Sequence, residues 1–294
     1  MKKLKRVLLT GVTGFIGRNL AARLIEEHSA RWEVHAILRE SSCVANLPDA
    51  LQNYITFHTH KDTVTLLKIV KDVEPEIVVH LASCFLQKHT YENIDQLLES
   101  NVIFATKLLE AMAQAGIRNF VNTGTAWQHY QNAEYDPVNL YAASKQAFED
   151  ILLYYQHALG VKAITLKIFD TYGSGDTRRK LMALMDEFAQ NGKCLAMSPG
   201  KQKIYLVHID DVVSAFILAM NYLASGKYEF CGSYAISTNN PISLRELVAR
   251  YEKVTHRTLK IEWGGRPYRE REIMEPWSKG NLLPGWERFH KELM

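Results

Sequence analysis

The chain has 294 residues, 47% hydrophobic and 23% charged, and its 35 basic residues nearly balance 32 acidic ones for a formal charge of +3. That length suits one two-lobed unit or two modest domains with a large buried core, and the composition excludes global disorder. No Lys/Arg block stands out, which argues against nucleic acid as a partner, and no run approaches about 18 uninterrupted apolar residues, which argues against a membrane span.

The start, "MKKLKRVLLTGVTGFIG", imitates a signal peptide, but Thr10 and Gly11 break its apolar run and no small-residue cleavage pattern follows. Cys43, Cys84, Cys194 and Cys231 form no CxxC pair and have no clustered histidine partners. A reduced, cytoplasmic protein without a metal site is therefore expected.

Short apolar runs at 6–10, 33–38, 54–58, 76–82, 119–123 and 162–169 read as strands. They carry Val, Ile and Leu on both faces, as a parallel sheet covered by helices requires. Helical patterns lie between them at 15–28, 63–73, 94–115 and 141–159. This alternation predicts an α/β fold, a doubly wound parallel sheet. After Phe169 the rhythm changes: a loop with "YGSGD", a helix at about 178–191, the apolar "IYLVHI", and helices at 210–223 and 242–255. Three of the five tryptophans fall after residue 262, which predicts an irregular, contact-making C-terminal segment.

Gly11, Gly14 and Gly17 stand three residues apart between the first strand and the first helix. Glycines there permit a tight turn and a close backbone approach to a pyrophosphate, and the N–H groups opening the helix present a positive dipole end. The context, not the triplet alone, makes this a Rossmann-like dinucleotide cradle. Tyr141 and Lys145 are four apart and share one face of a helix. A phenol with an ordinary pKa near 10 becomes a usable acid–base group where a nearby ammonium favours the phenolate. The same lysine can hold a nicotinamide ribose. The strand in "NFVNTGTAWQ" ends in hydroxyls, so Thr123 or Thr125 is placed to orient a carbonyl oxygen in the cleft.

Together these residues resemble the extended short-chain dehydrogenase/reductase family, the branch of nucleotide-sugar epimerases, dehydratases and reductases. "TGVTGFIG" is similar to its TGxxGxxG element, "VVHLAS" to its HLA strand and "NVIFATKLLEAM" to its NVxGT-type helix. "PVNLYAASK" resembles its catalytic segment and "LVHIDDVVSAF" its late HxDD helix. The order agrees over essentially the whole chain. The resemblance implies that Tyr141 is the general acid or base, Lys145 its partner, Thr125 the orienting hydroxyl, and Asn101 a structural residue.

The resemblance further implies a dinucleotide-binding lobe at 1–169, with about 204–223 packing back onto it, and a nucleotide-sugar lobe at 170–294. Cofactor contacts are expected from Gly11, Gly14, Phe15, Ile16, Gly17 and Arg18. Leu81, Ala82, Ser83 and Ile168 are expected to line the same crevice with Tyr141 and Lys145. Substrate contacts are expected from Cys84, Thr125, Trp127, Asp170, Lys203 and Arg269, with His129 and Tyr130 bordering the sugar. Cys84 reads first as a buried structural thiol and second as a cleft residue, and the other reading of Arg269 is a solvated arginine among Glu270, Arg271 and Glu272. The family commonly forms homodimers through a four-helix bundle, here 94–115 and 141–159.

Two departures bear on the substrate. Ile204 stands where the family usually carries a diphosphate-gripping arginine, and Asp170 replaces a frequent asparagine. A carboxylate there repels a diphosphate unless a cation intervenes. Three reactions remain to be separated. A 4,6-dehydratase needs Asp-Glu after the hydroxyl residue, and Ala126 and Trp127 cannot move protons, so dehydration is disfavoured.

Epimerases of the family retain NAD with an acid on the ribose. Here Arg39 ends the second strand, suited to the 2′-phosphate of NADP, with Arg18, Ser41 and Ser42 as helpers. The other reading leaves Arg39 in solvent and gives the ribose to Glu40. The expectation is an NADPH-dependent reductase of a nucleotide-linked 4-keto-6-deoxy sugar, of the abequose and paratose synthase type, with NAD the lesser cofactor candidate. A nucleotide-sugar epimerase holding NAD is the alternative, and a non-catalytic NADP-sensing protein the second.

Overall fold

The six apolar runs form β1 (Lys5–Thr10), β2 (Trp32–Arg39), β3 (Ile55–His60), β4 (Ile77–His80), β5 (Asn119–Thr125) and β6 (Lys162–Ile168) in a computed structural model of the chain. The structure describes residues 4–45, 47–176, 178, 180–238 and 240–290. Helices α1 (Phe15–His28), α2 (Asp49–Tyr54), α3 (Thr63–Val73), α4 (Ile94–Leu98), α5 (Phe104–Gln114) and α6 (Leu140–Leu159) connect them. The later chain forms β7 (Asp170–Tyr172), α7 (Leu181–Asn191), β8 (Cys194–Met197), β9 (Lys203–Ile204), β10 (Leu206–His208) and α8 (Ile209–Ala224). It ends in β11 (Gly232–Ile236), β12 (Ile242–Ser243), α9 (Leu244–Thr255) and β13 (Lys260–Trp263), followed by irregular chain.

Local chemistry sets the helix ends. Asp62 accepts from the Thr65 backbone N–H at 2.8 Å while the Thr65 hydroxyl accepts from Asp62 N–H at 3.0 Å, a capping box that starts α3. Asn139 caps α6 by accepting from Ala142 N–H at 3.0 Å, and Gly160 at φ 71° ends it in the left-handed region.

Seven parallel strands make one sheet in the order β11-β6-β5-β4-β1-β2-β3, a Rossmann-like doubly wound arrangement. Along β1, Val7 and Leu9 face one apolar cluster, shared with α1 and α8, and Leu8 faces the other, shared with α3, α5 and α6. A third cluster gathers α7, α9, β8 and the small strands beyond residue 169.

Two differences from the sequence reading matter. The stretch 94–115 is interrupted by a π-helical turn, Glu99–Ile103, that carries Asn101. The chain after 169 also supplies more than a separate lobe. Besides α8, β11 joins the main sheet beside β6, and Leu283 and Trp286 enter the first cluster. The "GSYAI" of β11 is too short and too polar at its start to show a strand pattern.

Candidate active site at the crossover of the sheet

The strand order reverses between β1 and β4, so a crevice opens beyond their C-terminal ends. The Thr10 hydroxyl ties the two strand ends together, 2.8 Å from His80 Nδ1 and accepting from Leu81 and Ala82 N–H at 3.2 Å each. Gly11 follows at φ +72°, and a Cβ there would lie 2.5 Å from Ala82 N. A Cβ on Gly17 would lie 2.2 Å from Gly11 O. Gly14 opens α1 with no side-chain cap and no acid in the first turn, so the N–H groups there keep their capacity for an anion. Phe15 and Gly17 are buried under this turn, and Ile16 and Arg18 are half-buried.

Thr123 and Thr125 end differently. The Thr123 hydroxyl donates to His80 O at 2.7 Å and is spent inside the sheet. The Tyr141 phenol instead has the Thr125 and Ser83 hydroxyls as hydrogen-bond partners. Burial outweighs both and pushes the phenol up to about 12. Lys145 is buried at 1% exposure with Nζ unpartnered, and burial pushes it down to about 8, against the upward pull of Glu149. This corrects the expectation that the ammonium lowers the phenol: desolvation governs Tyr141, and Lys145 is not among the groups acting on it. Burial thus keeps the phenol protonated. The buried, unpartnered Nζ and the glycine cradle fit a nicotinamide dinucleotide.

Asn101 builds the floor. Its Oδ1 accepts from Ser83 Oγ at 3.0 Å and Cys84 N–H at 2.7 Å, and its Nδ2 donates to Cys84 O and Ser144 Oγ, each at 3.0 Å. It therefore fastens the loop after β4 to α6, beside Tyr141 and Lys145. Burial raises the Cys84 thiol, so it is no ready nucleophile, and all four cysteines are free thiols.

At the end of β2, Arg39 and Glu40 are both exposed, and Glu40 pairs with Lys61 at 3.4 Å. Ser42 Oγ accepts from Arg39 N–H at 3.1 Å and so closes the turn. Arg18 does not reach toward Arg39. Its guanidinium bonds Gly175 O and lies over Phe15, as does that of Arg178, so two cations bracket the start of α1.

On the substrate side, the Phe85 ring lies edge-on to Tyr141 at 5.0 Å and to Trp127 at 5.6 Å. Lys180, which sequence reasoning missed, projects over Phe85 at 5.8 Å and interacts with Asp170. It places a cation beside Asp170, and only the run "RRK" could have hinted at it. Arg269 reaches the loop after β4, with Nε 3.0 Å from the Gln87 amide oxygen once that amide is turned to face it. Lys203 is taken by Glu275 at 3.0 Å. His129 stacks on Trp277 at 3.9 Å, and Tyr130 carries Arg271 at 4.2 Å, so both pack against the C-terminal segment. Ile168 ends β6, paired in register with Thr125. One turn beyond Lys145, Glu149 pairs with buried Lys167 at 3.1 Å, a pair sequence reasoning also missed.

The sheet, cradle and Tyr–Lys pair define a nicotinamide dinucleotide-dependent enzyme of the short-chain dehydrogenase/reductase class. The chain belongs to the NAD dependent epimerase/dehydratase family, whose model matches residues 7–231. CDP-abequose synthase of Salmonella muenchen is 26% identical, over 96% of this chain and 92% of that relative. The UDP-glucose 4-epimerase of Thermus thermophilus, solved with NAD, superposes at a TM-score of 0.73 with 23% identity, covering 92% of this chain and 90% of that one. The UDP-glucuronic acid 4-epimerase of Bacillus cereus, solved with UDP-glucuronic acid and NAD, gives 0.79 with 19% identity, covering 93% and 90%. Both of those structures carry NAD. Among the described residues, no helix is long and apolar enough to cross a membrane.

Proposed function

We propose that the protein reduces a nucleotide-linked 4-keto-6-deoxy sugar with NADPH, in the making of bacterial surface polysaccharide. The observation that carries this reading is the end of β2: Glu40 is drawn to Lys61, and Arg39 remains as the charged group beside the crevice. A guanidinium there attracts a 2′-phosphate that an acid would repel. The full-length relationship to CDP-abequose synthase supports the substrate class.

NADPH, when bound, would supply the hydride. Tyr141, held protonated by burial, gives its proton to the ketone oxygen, and Thr125 orients that oxygen against it. Lys145, its Nζ buried without a partner, would hold the nicotinamide ribose and balance the charge that develops on the oxygen. Phe85 and Trp127 wall the sugar, and Lys180 offsets Asp170 near the diphosphate. Arg269 closes the cleft from the C-terminal segment. The protein acts in the cytoplasm as a homodimer, for which exposed Ile103, Leu153 and Tyr154 on the helices at 94–115 and 141–159 offer apolar surface. A solution mass of one chain would rule the dimer out.

The deciding experiment supplies CDP- and dTDP-linked 4-keto-6-deoxy sugars with NADPH and follows stoichiometric cofactor consumption. The family's description favours a second reading, a nucleotide-sugar epimerase. NAD retained through purification, with stereochemical exchange and no net oxidation, establishes the epimerase and overturns the reductase. Cofactor binding without turnover on the whole panel selects the sensing protein.

A further inference from the structure

Phe85 is a large apolar side chain left 49% exposed in the cleft, and the chain on either side of it is tied down. Asn101 takes both backbone groups of Cys84, accepting from its N–H at 2.7 Å and donating to its carbonyl at 3.0 Å. Asn139 Nδ2 donates to Leu86 O at 3.3 Å and to Gln87 O at 3.0 Å. Asn139 also caps α6, the helix that carries Tyr141, so the loop and the phenol share one frame. Four hydrogen bonds therefore fix a ring that is only half covered. Such a ring is a preorganised surface for an apolar group.

Three neighbours set where that surface lies. Tyr141 meets it edge-on, with ring centroids 5.0 Å apart and planes at 78°. Trp127 supports it at 5.6 Å and 61°. Lys180 Nζ stands 5.8 Å from the ring centroid and interacts with Asp170. Phe85 thus spans the distance from the buried phenol to the cation beside Asp170.

The inference rests on the reductase reading, in which the ketone carbon C4 faces Tyr141 and the diphosphate on C1 faces Lys180. Two edges of a pyranose join C1 to C4. One runs through C2 and C3 and carries hydroxyls. The other runs through the ring oxygen and C5 and carries C6 as a side group. A phenyl ring offers a hydroxyl no partner, so a hydroxyl pressed against it loses its hydrogen bonds to water. Apolar carbon gains there instead. The C5 edge therefore suits Phe85, and a methyl at C6 gains where a hydroxymethyl or a carboxylate loses.

We propose that Phe85 determines specificity at C6: its ring takes the methyl of a 6-deoxy sugar and discriminates against sugars with a hydroxymethyl or a carboxylate at that carbon. The pinned backbone of Cys84, Leu86 and Gln87 keeps the ring from turning away to admit a larger or more polar group.

The test measures binding by calorimetry to the full chain saturated with NADP⁺ and, separately, with NAD⁺. The probes are 6-deoxyglucose, glucose and glucuronate, each linked to dTDP and to CDP; within a series they differ only at C6 and have no ketone to reduce. The expected result is a 6-deoxy sugar bound about tenfold tighter than its hydroxymethyl counterpart in at least one series. Phe85→Ala should bring that ratio below about threefold, and Phe85→Leu, which keeps apolar contact, should retain most of it. Equal binding of the two sugars, tighter binding of the glucuronate, or a ratio unchanged in Phe85→Ala overturns this proposal and leaves the reductase reading standing. Binding of none of the probes overturns both. Net NADPH consumption is read in its own assay, so a C6 preference that follows Phe85 stands even where reduction fails.

Discussion

Tyr141 and Lys145, one helical turn apart, are driven by burial in opposite directions, the phenol up to about 12 and the ammonium down to about 8. Both shifts favour the neutral form, because desolvation penalises whichever form is charged. The pair is therefore a firmly protonated phenol beside an ammonium that gives up its proton readily.

Burying the Lys145 ammonium costs stability. A fall from 10.5 to about 8 amounts to roughly 3 kcal/mol against the charged form at neutral pH. The folded pKa lies below the unfolded one, so between about 8 and 10.5 the unfolded chain binds the extra proton and stability rises with pH across that window. Lys145→Met should raise Tm by several degrees at pH 7 while abolishing turnover. Thermal unfolding from pH 7 to 10 checks it: the variant's advantage should shrink as pH rises.

The alkaline limb of kcat/KM should follow Lys145 and fall as pH passes about 8. Glu149 is the group that holds this pKa up, so Glu149→Gln should move the limb to lower pH. A profile unchanged in position would show that Glu149 serves only its ion pair with Lys167.

Arg39→Ala should weaken NADPH by about 10- to 100-fold, as expected for loss of a charge-assisted contact. NADH affinity should change by less than about threefold, since no 2′-phosphate is lost. Equilibrium binding of both cofactors measures this, and an equal loss for both would place Arg39 elsewhere than at the phosphate.

Gly11→Ala tests the cradle. The added Cβ would meet Ala82 N at 2.5 Å, with the backbone at φ +72°, so neither the side chain nor the turn can be accommodated. A loss of about 2–4 kcal/mol in stability and of cofactor binding is expected. Thermal unfolding with and without NADPH reads both.

The sequence by itself determined the sheet-forming strands, the glycine turn and the Tyr–Lys face. Each is written in short-range pattern: apolar runs of strand length, a triplet of glycines, a spacing of four. Residues 63–73 become a helix at those same bounds because Asp62 caps the start and Glu74, in the left-handed region, ends it, whereas 15–28 keeps its bounds without a side-chain cap. Only the tertiary structure decided what depends on distant segments meeting. It turned Thr123 into the sheet and left Thr125 to Tyr141, brought Lys180 to Asp170, and set β11 beside β6. It reversed the expected shift of Tyr141, since desolvation comes from everything packed around a group and not from its neighbour one turn away. It also joined His290 to Asp210, a contact that no local periodicity encodes.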